Sequence, residues 1–505
     1  MKTTFTIFAI LLFFLPATAQ RYDYQWPMGY GSNFDLYFGI SMLDFNDQHV
    51  NAYPLIEIDD FELGEAGSFI CDENGNVVLM TNNCKVVDAN FQTIQGGDTL
   101  TPGYTHDNYC PFGAFPSTQA TLFLPEFSND STVYLVHNDA FISSIFQDVI
   151  SPVFYTSTLV RRSGGAFYVK EKKLLLTETL IAARVTAGIH ADGNKWWTWA
   201  HAYGTNRFYK FLIGGDTIQG PFIQDIGPNA TTFDLDVGQT AFSPDMTLLA
   251  INSDAWGVML FDFDNATGGL SNYRNILYPN TPDARGLVFS PDSRFIYAST
   301  GDSIYQIDLN SELGEDQITP IPYVLEFDET GWPIGIGEMF IGPDCRIYIA
   351  PATTTYYLHV IHQPNEKGIA CQFQKKAIRM PTNLLFRFPN LPMYRFNGAC
   401  DPDIEWGFPT SVAPEPEEDT ALLKVYPNPA RDEVVVELAE GLDADAIVLN
   451  DPLGRRCGVY PVEKGMAQLR IDVSSLPSGL YFLTAQARNG QLSGHARALK
   501  LVVTR

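Results

Sequence analysis

The chain has 505 residues, of which 45% are hydrophobic and 13% aromatic, and its formal net charge is −26 at pH 7. This length exceeds one ordinary hydrophobic core, so it predicts two or more domains or one large repeat array. The strong negative charge argues against binding to nucleic acid or to an anionic membrane, because both require a basic surface.

The chain starts with the pattern of a secretory signal peptide over residues 1–19. Lys2 supplies a positive charge, residues 5–15 form an apolar run, and the small residues Ala-Thr-Ala precede Gln20. We expect cleavage between Ala19 and Gln20. The apolar run is too short to span a bilayer comfortably and no later run reaches that length, so no transmembrane segment is expected.

A four-residue turn sequence recurs in the middle of the chain. Phe-Ser-Pro-Asp occupies 242–245 and 289–292, and a relaxed copy, Ile-Gly-Pro-Asp, occupies 341–344. Pro presets φ at the second turn position and Asp can bond its own backbone two residues on, so each copy indicates a strand, a tight turn and a strand. The next residues, Met246, Ser293 and Cys345, stand where such turns usually have Gly. We therefore expect that these turns do not need a positive φ.

Hairpins with similar tips precede these three copies. The six turns are marked by Gly75, Asp130, Gly193, Asp245, Asp292 and Asp344, at intervals of 55, 63, 52, 47 and 52 residues. This spacing predicts a β-propeller over residues 20–409. Six turns give six blades. Strands in residues 33–60 and strands from residues 381–398 could close a seventh sheet and protect its edges, so we favour seven blades, with six as the alternative.

A second domain follows the propeller. Residues 410–421 are rich in Pro and Glu with almost no apolar content, which predicts an extended linker. In residues 422–505 apolar residues alternate in several short runs, which is typical of a small β-sandwich.

Four ordered pieces of this second domain resemble a known family. They are Tyr426-Pro427-Asn428-Pro429-Ala430, the hairpin at 449–455, the run 471–482 with Gly479 and Tyr481, and the terminal residues 500–503. Together they resemble the type A sorting domain of type IX secretion cargo from Bacteroidetes-type bacteria. The resemblance implies handling by the type IX machinery and its sortase, export across the outer membrane, removal of this domain, and release or attachment at the cell surface.

The propeller region is similar to the WD40-like, lactonase-like repeat propellers of secreted proteins in the same bacteria. The Phe-Ser-Pro-Asp turns carry this similarity, together with residues 75–83, 190–197 and 358–362. The resemblance implies architecture and no defined activity.

The seven cysteines of an exported protein are candidates for disulfides, although their number is odd. We expect the pairs Cys84–Cys110 and Cys371–Cys400, because each lies near a strand end and a following loop. Spacing alone does not establish the connectivity.

One segment concentrates the aromatic candidates for a binding site. Its residues are His190, Trp196, Trp197, Trp199 and His201. Strand alternation places Trp197 and Trp199 on one face and Trp196 on the other. The segment therefore forms either packing between blades or an exposed platform for sugars or peptides.

Asp262, Asp264 and Asn265, followed by two glycines, suggest either a Ca²⁺ loop or a strand end running into a turn. No other cofactor is expected, and no catalytic set can be named, because the chain lacks a Gly-x-Ser-x-Gly elbow, a His-Glu-x-x-His helix and a phosphate loop. We therefore expect a secreted or surface-attached binding protein for a glycan, a peptide or a protein. The alternative is a lactonase-like or other hydrolase acting at the channel mouth.

Overall fold

The computed structural model describes residues 21–504 except 31–38, 56–60, 65–66, 113–116, 140, 144–147, 163–164, 230–237, 277–282, 312–316, 329–330, 385–386, 409–422, 439–443, 451–455, 464, 478 and 487–498. The expected signal peptide and linker lie outside the described residues. The chain divides into two compact units, Met1–Ser411 and Val412–Arg505. None of the helices in the described ranges has the length and apolar character needed to cross a membrane.

In its described part, the first unit contains seven antiparallel sheets of three or more strands, which we call blades 1 to 7 in chain order. Blade 1 contains β1 (Gln25–Tyr30), β2 (Gly39–Asp44) and β3 (Asn51–Leu55), and blade 2 contains β4 (Ser68–Cys71), β5 (Val77–Thr81) and β6 (Val86–Asp88). A short helix α1 (Tyr104–Asn108) precedes blade 3, which contains β7 (Thr121–Pro125), β8 (Thr132–Asn138), β9 (Phe141–Ser143), β10 (Asp148–Arg161) and β11 (Phe167–Ile181).

The next three blades have four strands each, paired in chain order. Blade 4 contains β12 (Ala187–Ile189), β13 (Trp196–His201), β14 (Arg207–Gly214) and β15 (Thr217–Asp225). Blade 5 contains β16 (Thr240–Phe242), β17 (Leu248–Ser253), β18 (Gly257–Asp264) and β19 (Gly269–Ile276). Blade 6 contains β20 (Ala284–Phe289), β21 (Phe295–Thr300), β22 (Ile304–Asp308) and β23 (Ile318–Ile321).

A two-stranded hairpin of β24 (Glu326–Phe327) and β25 (Pro333–Ile334) precedes blade 7, which contains β26 (Met339–Ile341), β27 (Ile347–Ile349), β28 (Thr355–Ile361) and β29 (Phe373–Leu384). Blade 7 meets blade 1, because β29 contacts all three strands of that sheet. Across this contact the hydroxyls of Ser41 and Thr382 share a hydrogen bond of 2.7 Å. The sheets therefore form a closed ring, which confirms the predicted β-propeller.

Blade 1 is completed differently from the sequence-based expectation. Residues 39–44 and 51–55 pair with β1 near the start of the chain, and not with strands from residues 381–398. Among the described residues of 381–398, the strand ends at Leu384 and belongs to β29. Pro27 lies inside β1. Because proline has no backbone N–H to donate, its presence argued against a strand in this part of the sequence.

The three Pro-Asp turns also differ from expectation. Met246, Ser293 and Cys345 have φ values of 57°, 62° and 60°, in the left-handed region that favours glycine. The expectation that these turns avoid a positive φ is therefore wrong. Hydrogen bonds within each turn hold its backbone in this conformation. For example, Met246 donates its N–H to Ser243 O (2.9 Å), and Thr247 donates to the Asp245 carboxylate (3.1 Å). These bonds offset the steric cost of about 1–2 kcal/mol per residue.

The segment after β29, which we call the tail (residues 388–405), runs through the middle of the ring. Asn390 accepts from Ser68 Oγ (2.9 Å) and donates to Thr121 O (3.0 Å) and Val185 O (2.8 Å), so it joins blades 2, 3 and 4. Arg395 is buried and pairs with the buried Asp23. The channel of the propeller is therefore occupied by its own chain.

Beyond Arg395 the tail crosses the turns of other blades. Asn397 donates its N–H to Pro244 O (2.8 Å) and Asp401 donates to Pro343 O (2.8 Å), in the turns of blades 5 and 7. Glu405 then donates to Gln48 O (2.7 Å) in blade 1. The repeated turns thus have a role that their sequences did not show, which is to hold the tail.

The disulfide Cys84–Cys110 is present, as expected. The expected pair Cys371–Cys400 is wrong, because Cys400 is joined to Cys345 across a Cα–Cα distance of 5.4 Å. The pairing depends on the tertiary structure, because the tail places Cys400 beside the turn of blade 7 that contains Cys345. Cys371 is a free, buried thiol.

The second unit has two antiparallel sheets in its described part. One contains β30 (Leu423–Tyr426), β31 (Glu433–Leu438) and β34 (Gln468–Asp472), and the other contains β32 (Ala446–Asn450), β33 (Arg456–Pro461), β35 (Gly479–Gln486) and β36 (Leu499–Val503). A single buried cluster with Val436, Leu449 and Ile471 lies between them. This is the predicted β-sandwich.

Candidate functional site

The aromatic segment of blade 4 does not form an exposed platform. Trp196, Trp197 and Trp199 are 0%, 4% and 5% exposed, so the binding role considered for them and for their neighbours is not supported. Strands β13 and β14 are covered on both faces by the adjacent blades, and this leaves no tryptophan face open. The tryptophans pack between blades, which was the other interpretation of this segment.

The partners of these residues are all internal. Trp196 donates Nε1–H to Pro125 O (3.0 Å) and Trp197 to Asn265 O (3.0 Å). His201 stacks on Phe208 with 4.2 Å between ring centroids. His190 is partly buried, and its Nδ1 accepts from Asp192 N (3.1 Å). Each ring therefore has a structural role.

The three residues of the candidate Ca²⁺ loop have separate uses. Asp262 pairs with Arg274 (2.5 Å), and Asp264 accepts from Ala266 N (3.0 Å) and Thr267 Oγ1 (2.7 Å). The hydrogen bond from Thr267, with that from Ala266, holds the pKa of Asp264 below its ordinary value. The strand end running into a turn therefore describes this segment in the structure. Nowhere in the described ranges do three His, Cys, Asp or Glu side chains converge on a possible metal position.

The sorting-motif residues hold the last strand of the second unit. Asn428 Oδ1 accepts from Val502 N (2.8 Å), and Ala430 N donates to Val502 O (2.8 Å). Tyr481 is buried and donates its hydroxyl to Pro477 O (2.9 Å). Tyr426 is exposed on the surface, where its hydroxyl donates to Glu437 (2.7 Å).

Pro427 and Pro429 flank Asn428, and Gly479 opens β35, where it pairs with Val503 of β36. The motif therefore joins the N-terminal entry of the unit to its C-terminal strand. This explains why its pieces are spread along the sequence.

A cleft of 410 Å³ lies between blades 2 and 3 and is the candidate binding site. It is bordered by the turn between β4 and β5 and by the turn between β7 and β8. Its lining combines four carboxylates, two guanidinium groups and a tyrosine: Asp72, Glu73, Glu126, Asp130, Arg21, Arg161 and Tyr22. Its volume falls in the range of roughly 300–1,000 Å³ that is usual for small-ligand sites.

Two of the carboxylates are held rigidly. Glu126 is buried and accepts from Ser128 N (3.0 Å), Tyr134 Oη (3.1 Å) and Gly215 N (2.7 Å). Burial alone would raise the pKa of Glu126, but these hydrogen bonds outweigh it and hold the pKa below its ordinary value. Asp72 accepts from Asn74 N (2.9 Å) and Asn76 N (3.0 Å). Both groups shape the cleft, and Glu126 stays ionised at neutral pH.

The other two carboxylates, Glu73 and Asp130, are exposed at the border of the cleft. Burial raises the pKa of the Tyr22 hydroxyl, and the charges of Asp130, Glu73 and Glu126 raise it further. Three carboxylates therefore act on the same hydroxyl, which shows that their field converges in the cleft.

The guanidinium groups complete the lining. Arg161 lies 4.7 Å from the centre of the Phe167 ring, and its Nε is buried without a hydrogen-bond partner among the described residues. Arg21 lies 3.7 Å from Asp401 of the tail. The cleft therefore has hydrogen-bond donors for the oxygens of a ligand and a net negative charge for a cationic group.

This cleft was not predicted from the sequence. Its residues come from four separate stretches, and acidic side chains are too common in this chain to stand out. The turn that contains Asp130 marks one of the predicted blades, but its sequence does not indicate that the Asp130 side chain borders a cleft.

Comparison with known families supports the secretion assignment. Residues 424–496 match the family described as a secretion system C-terminal sorting domain. The second unit therefore carries a sorting domain for type IX secretion, which directs the protein to the cell surface or the extracellular space. The curated proteins include no match to this chain.

Several solved structures are similar in fold. A protein from Lactobacillus plantarum is 10% identical, with a TM-score of 0.40 over 72% of this chain and 99% of its own. The periplasmic gluconolactonase PpgL of Pseudomonas aeruginosa is 11% identical, with a TM-score of 0.37 over 89% and 99%. The Cps50 (Swd1) β-propeller domain of Myceliophteria thermophila is 9% identical, with a TM-score of 0.35 over 63% and 88%. We draw no activity from these similarities.

Proposed function

We propose that this secreted propeller is a binding module that holds a small polar ligand, a glycan or a peptide segment, in the cleft between blades 2 and 3. The observation that carries the proposal is a cleft of 410 Å³ whose lining presents carboxylates, guanidinium groups and an aromatic hydroxyl together. Such mixed polar groups orient a ligand, while the buried Glu126 and the turn carrying Asp72 keep the lining in place.

The charge of the lining favours a ligand with an amine or guanidinium group. Glu73 and Asp130 are exposed carboxylates, so they can approach a ligand without large rearrangement. Arg161 offers a donor for a carbonyl or hydroxyl oxygen of the same ligand. Amino sugars and peptides containing lysine or arginine have both kinds of group.

The experiment is a screen of the purified mature protein on glycan and peptide arrays, with affinities of the hits measured by calorimetry. Replacing Glu73→Gln and Asp130→Asn should weaken binding about 10- to 100-fold, the effect of losing a hydrogen bond to a charged group. The matched control is Glu366→Gln, which removes an exposed carboxylate in blade 7 and should leave the affinity unchanged.

Two outcomes contradict the proposal. One is the absence of any hit that depends on the cleft residues. The other is a hit whose bond is cleaved by the protein, with a rate that falls in the cleft variants, because this would support the alternative of a hydrolase.

A further inference from the structure

Arg161 lines the cleft with a guanidinium group that has no ion pair and no hydrogen bond to any described residue. Its backbone N–H donates to Ser131 O (2.7 Å), which fixes the end of β10 beside the turn between β7 and β8. The guanidinium carbon lies 4.7 Å from the centre of the Phe167 ring, and Nε is buried. Packing therefore holds this cation in place, and no described carboxylate balances its charge.

Two other arginines near the cleft differ from Arg161 in this respect. Arg162, the next residue, donates to the side chain of Gln95 and is not part of the lining. Arg21 is part of the lining, but its guanidinium lies 3.7 Å from the carboxylate of Asp401. Of these three cations, Arg161 is the one whose charge has no partner among the described residues.

A ligand that fills the cleft removes water from Arg161. Burying a charge costs free energy unless hydrogen-bond acceptors or an opposite charge replace the lost water. A carboxylate replaces it best, because its two oxygens match the fork of guanidinium N–H donors and the bonds are charge-assisted. The four carboxylates of the lining repel a doubly charged phosphate more strongly than a singly charged carboxylate. A ligand that covers Arg161 should therefore carry a carboxylate.

The exposed carboxylates at the border of the cleft, Glu73 and Asp130, call for the opposite charge on the same ligand. No described ion pair joins either of them to Arg161, although the Arg161 N–H binds the residue directly after Asp130. The cleft therefore presents charges of both signs that do not neutralise each other, within one space of 410 Å³. The molecule complementary to such a lining carries both charges.

We propose that the ligand of the cleft is zwitterionic: its carboxylate pairs with Arg161 and its ammonium group lies against Glu73 and Asp130. This ligand class rests on the proposed function and narrows it. Among glycans it selects amino sugars that also carry a carboxylate, and among peptides it selects those with an acidic side chain next to a basic one. A purely cationic ligand binds more weakly, because it covers Arg161 and leaves it unpaired.

The test compares matched probes by calorimetry on the mature protein. One pair is the blocked dipeptide acetyl-lysyl-glutamate amide and the same peptide with glutamine in place of glutamate. The other pair is muramic acid, an amino sugar with a carboxylate, and glucosamine, which has none. The member with the carboxylate should bind about 10- to 100-fold more tightly, the effect of a hydrogen bond to a charged group.

Substitutions show whether Arg161 is the source of this preference. Arg161→Gln should bring the affinity ratio of each pair close to one, and Arg161→Lys, which keeps the charge but not the fork of donors, should retain part of it. The matched control is Arg162→Gln, which should keep the full ratio. Urea midpoints identify any variant that does not fold, and Arg161→Lys carries the comparison if Arg161→Gln is such a variant.

Equal binding within each pair, or a preference that survives in both Arg161 variants, overturns the proposal. If array ligands depend on Glu73 and Asp130 while neither zwitterionic probe binds, the ligand class is rejected and the proposed function stands. If no array ligand depends on those two carboxylates, the proposed function fails and the ligand class fails with it.

Discussion

The disulfide Cys345–Cys400 should be a main source of stability for the propeller, because it fastens the tail that fills the channel. The two cysteines are 55 residues apart. In the chain-entropy account, a crosslink over this separation lowers the entropy of the unfolded chain and so stabilises the folded protein by about 4 kcal/mol. The corresponding stabilisation for the 26-residue separation of Cys84–Cys110 is about 3.5 kcal/mol. Since whole domains are stable by only about 5–15 kcal/mol, this loss is large.

The perturbation is the pair of substitutions Cys345→Ser and Cys400→Ser in the full mature chain. Urea unfolding followed by tryptophan fluorescence should show a much lower midpoint than the wild type, since several buried tryptophans lie between the blades. Amide hydrogen exchange should also accelerate at Asn397 and Asp401, whose N–H groups bind the turns of blades 5 and 7.

The control is Cys371→Ala, which removes the buried free thiol. In that variant a reducing agent should still lower the midpoint as it does in the wild type. In the Cys345 and Cys400 variant the reducing agent should have a smaller effect, because only Cys84–Cys110 remains. An unchanged midpoint without Cys345–Cys400, or peptide mapping that joins Cys400 to Cys371, would refute the reasoning.

Two further predictions concern buried ionisable side chains. Arg395→Met should destabilise the propeller by about 3–5 kcal/mol, because it leaves Asp23 buried without its partner, and adding Asp23→Leu should recover part of the loss in urea unfolding; equal stability of the single and double variants would contradict this. Stability should also fall below about pH 6.5. Burial, with a smaller effect from Lys172, lowers the pKa of His137 to about 3, and burial lowers that of His359 to about 4. The unfolded chain therefore binds more protons than the folded chain between these values and about 6.5, so stability is complete above this window and is lost as the pH falls through it. Urea midpoints measured from pH 7.5 to 5 should show this decline, and an NMR signal of protonated His137 in the folded protein at pH 5 would contradict the assignment.

The sequence predicted much of the architecture because its signals are local. Turn sequences with Pro, Asp, Asn and Gly occur where each blade reverses direction, and all six marked turns lie between paired strands of separate sheets. The sorting domain was recognised for the same reason, since its motif residues are a fixed local pattern. Cys84–Cys110 was also predictable, because its two cysteines are only 26 residues apart in sequence, Cys84 in the turn between β5 and β6 and Cys110 in the connection that follows blade 2.

What the sequence did not determine depends on contacts between distant residues. Nothing local in residues 388–405 indicates that they enter the channel, so both the completion of blade 1 and the partner of Cys400 were predicted incorrectly. The aromatic run of blade 4 shows the same limit, because alternation gives the face of a side chain but not what covers that face.

The cleft is the clearest case of this division. Arg21, Asp72, Asp130 and Arg161 are unremarkable where they stand in the sequence, and only the closing of the ring places them around one space. The sequence by itself determined the repeated sheets and the C-terminal sorting domain, because turns, strands and the sorting motif are set by neighbouring residues. The tertiary structure alone decided the cleft, because its lining requires side chains from separate blades to converge.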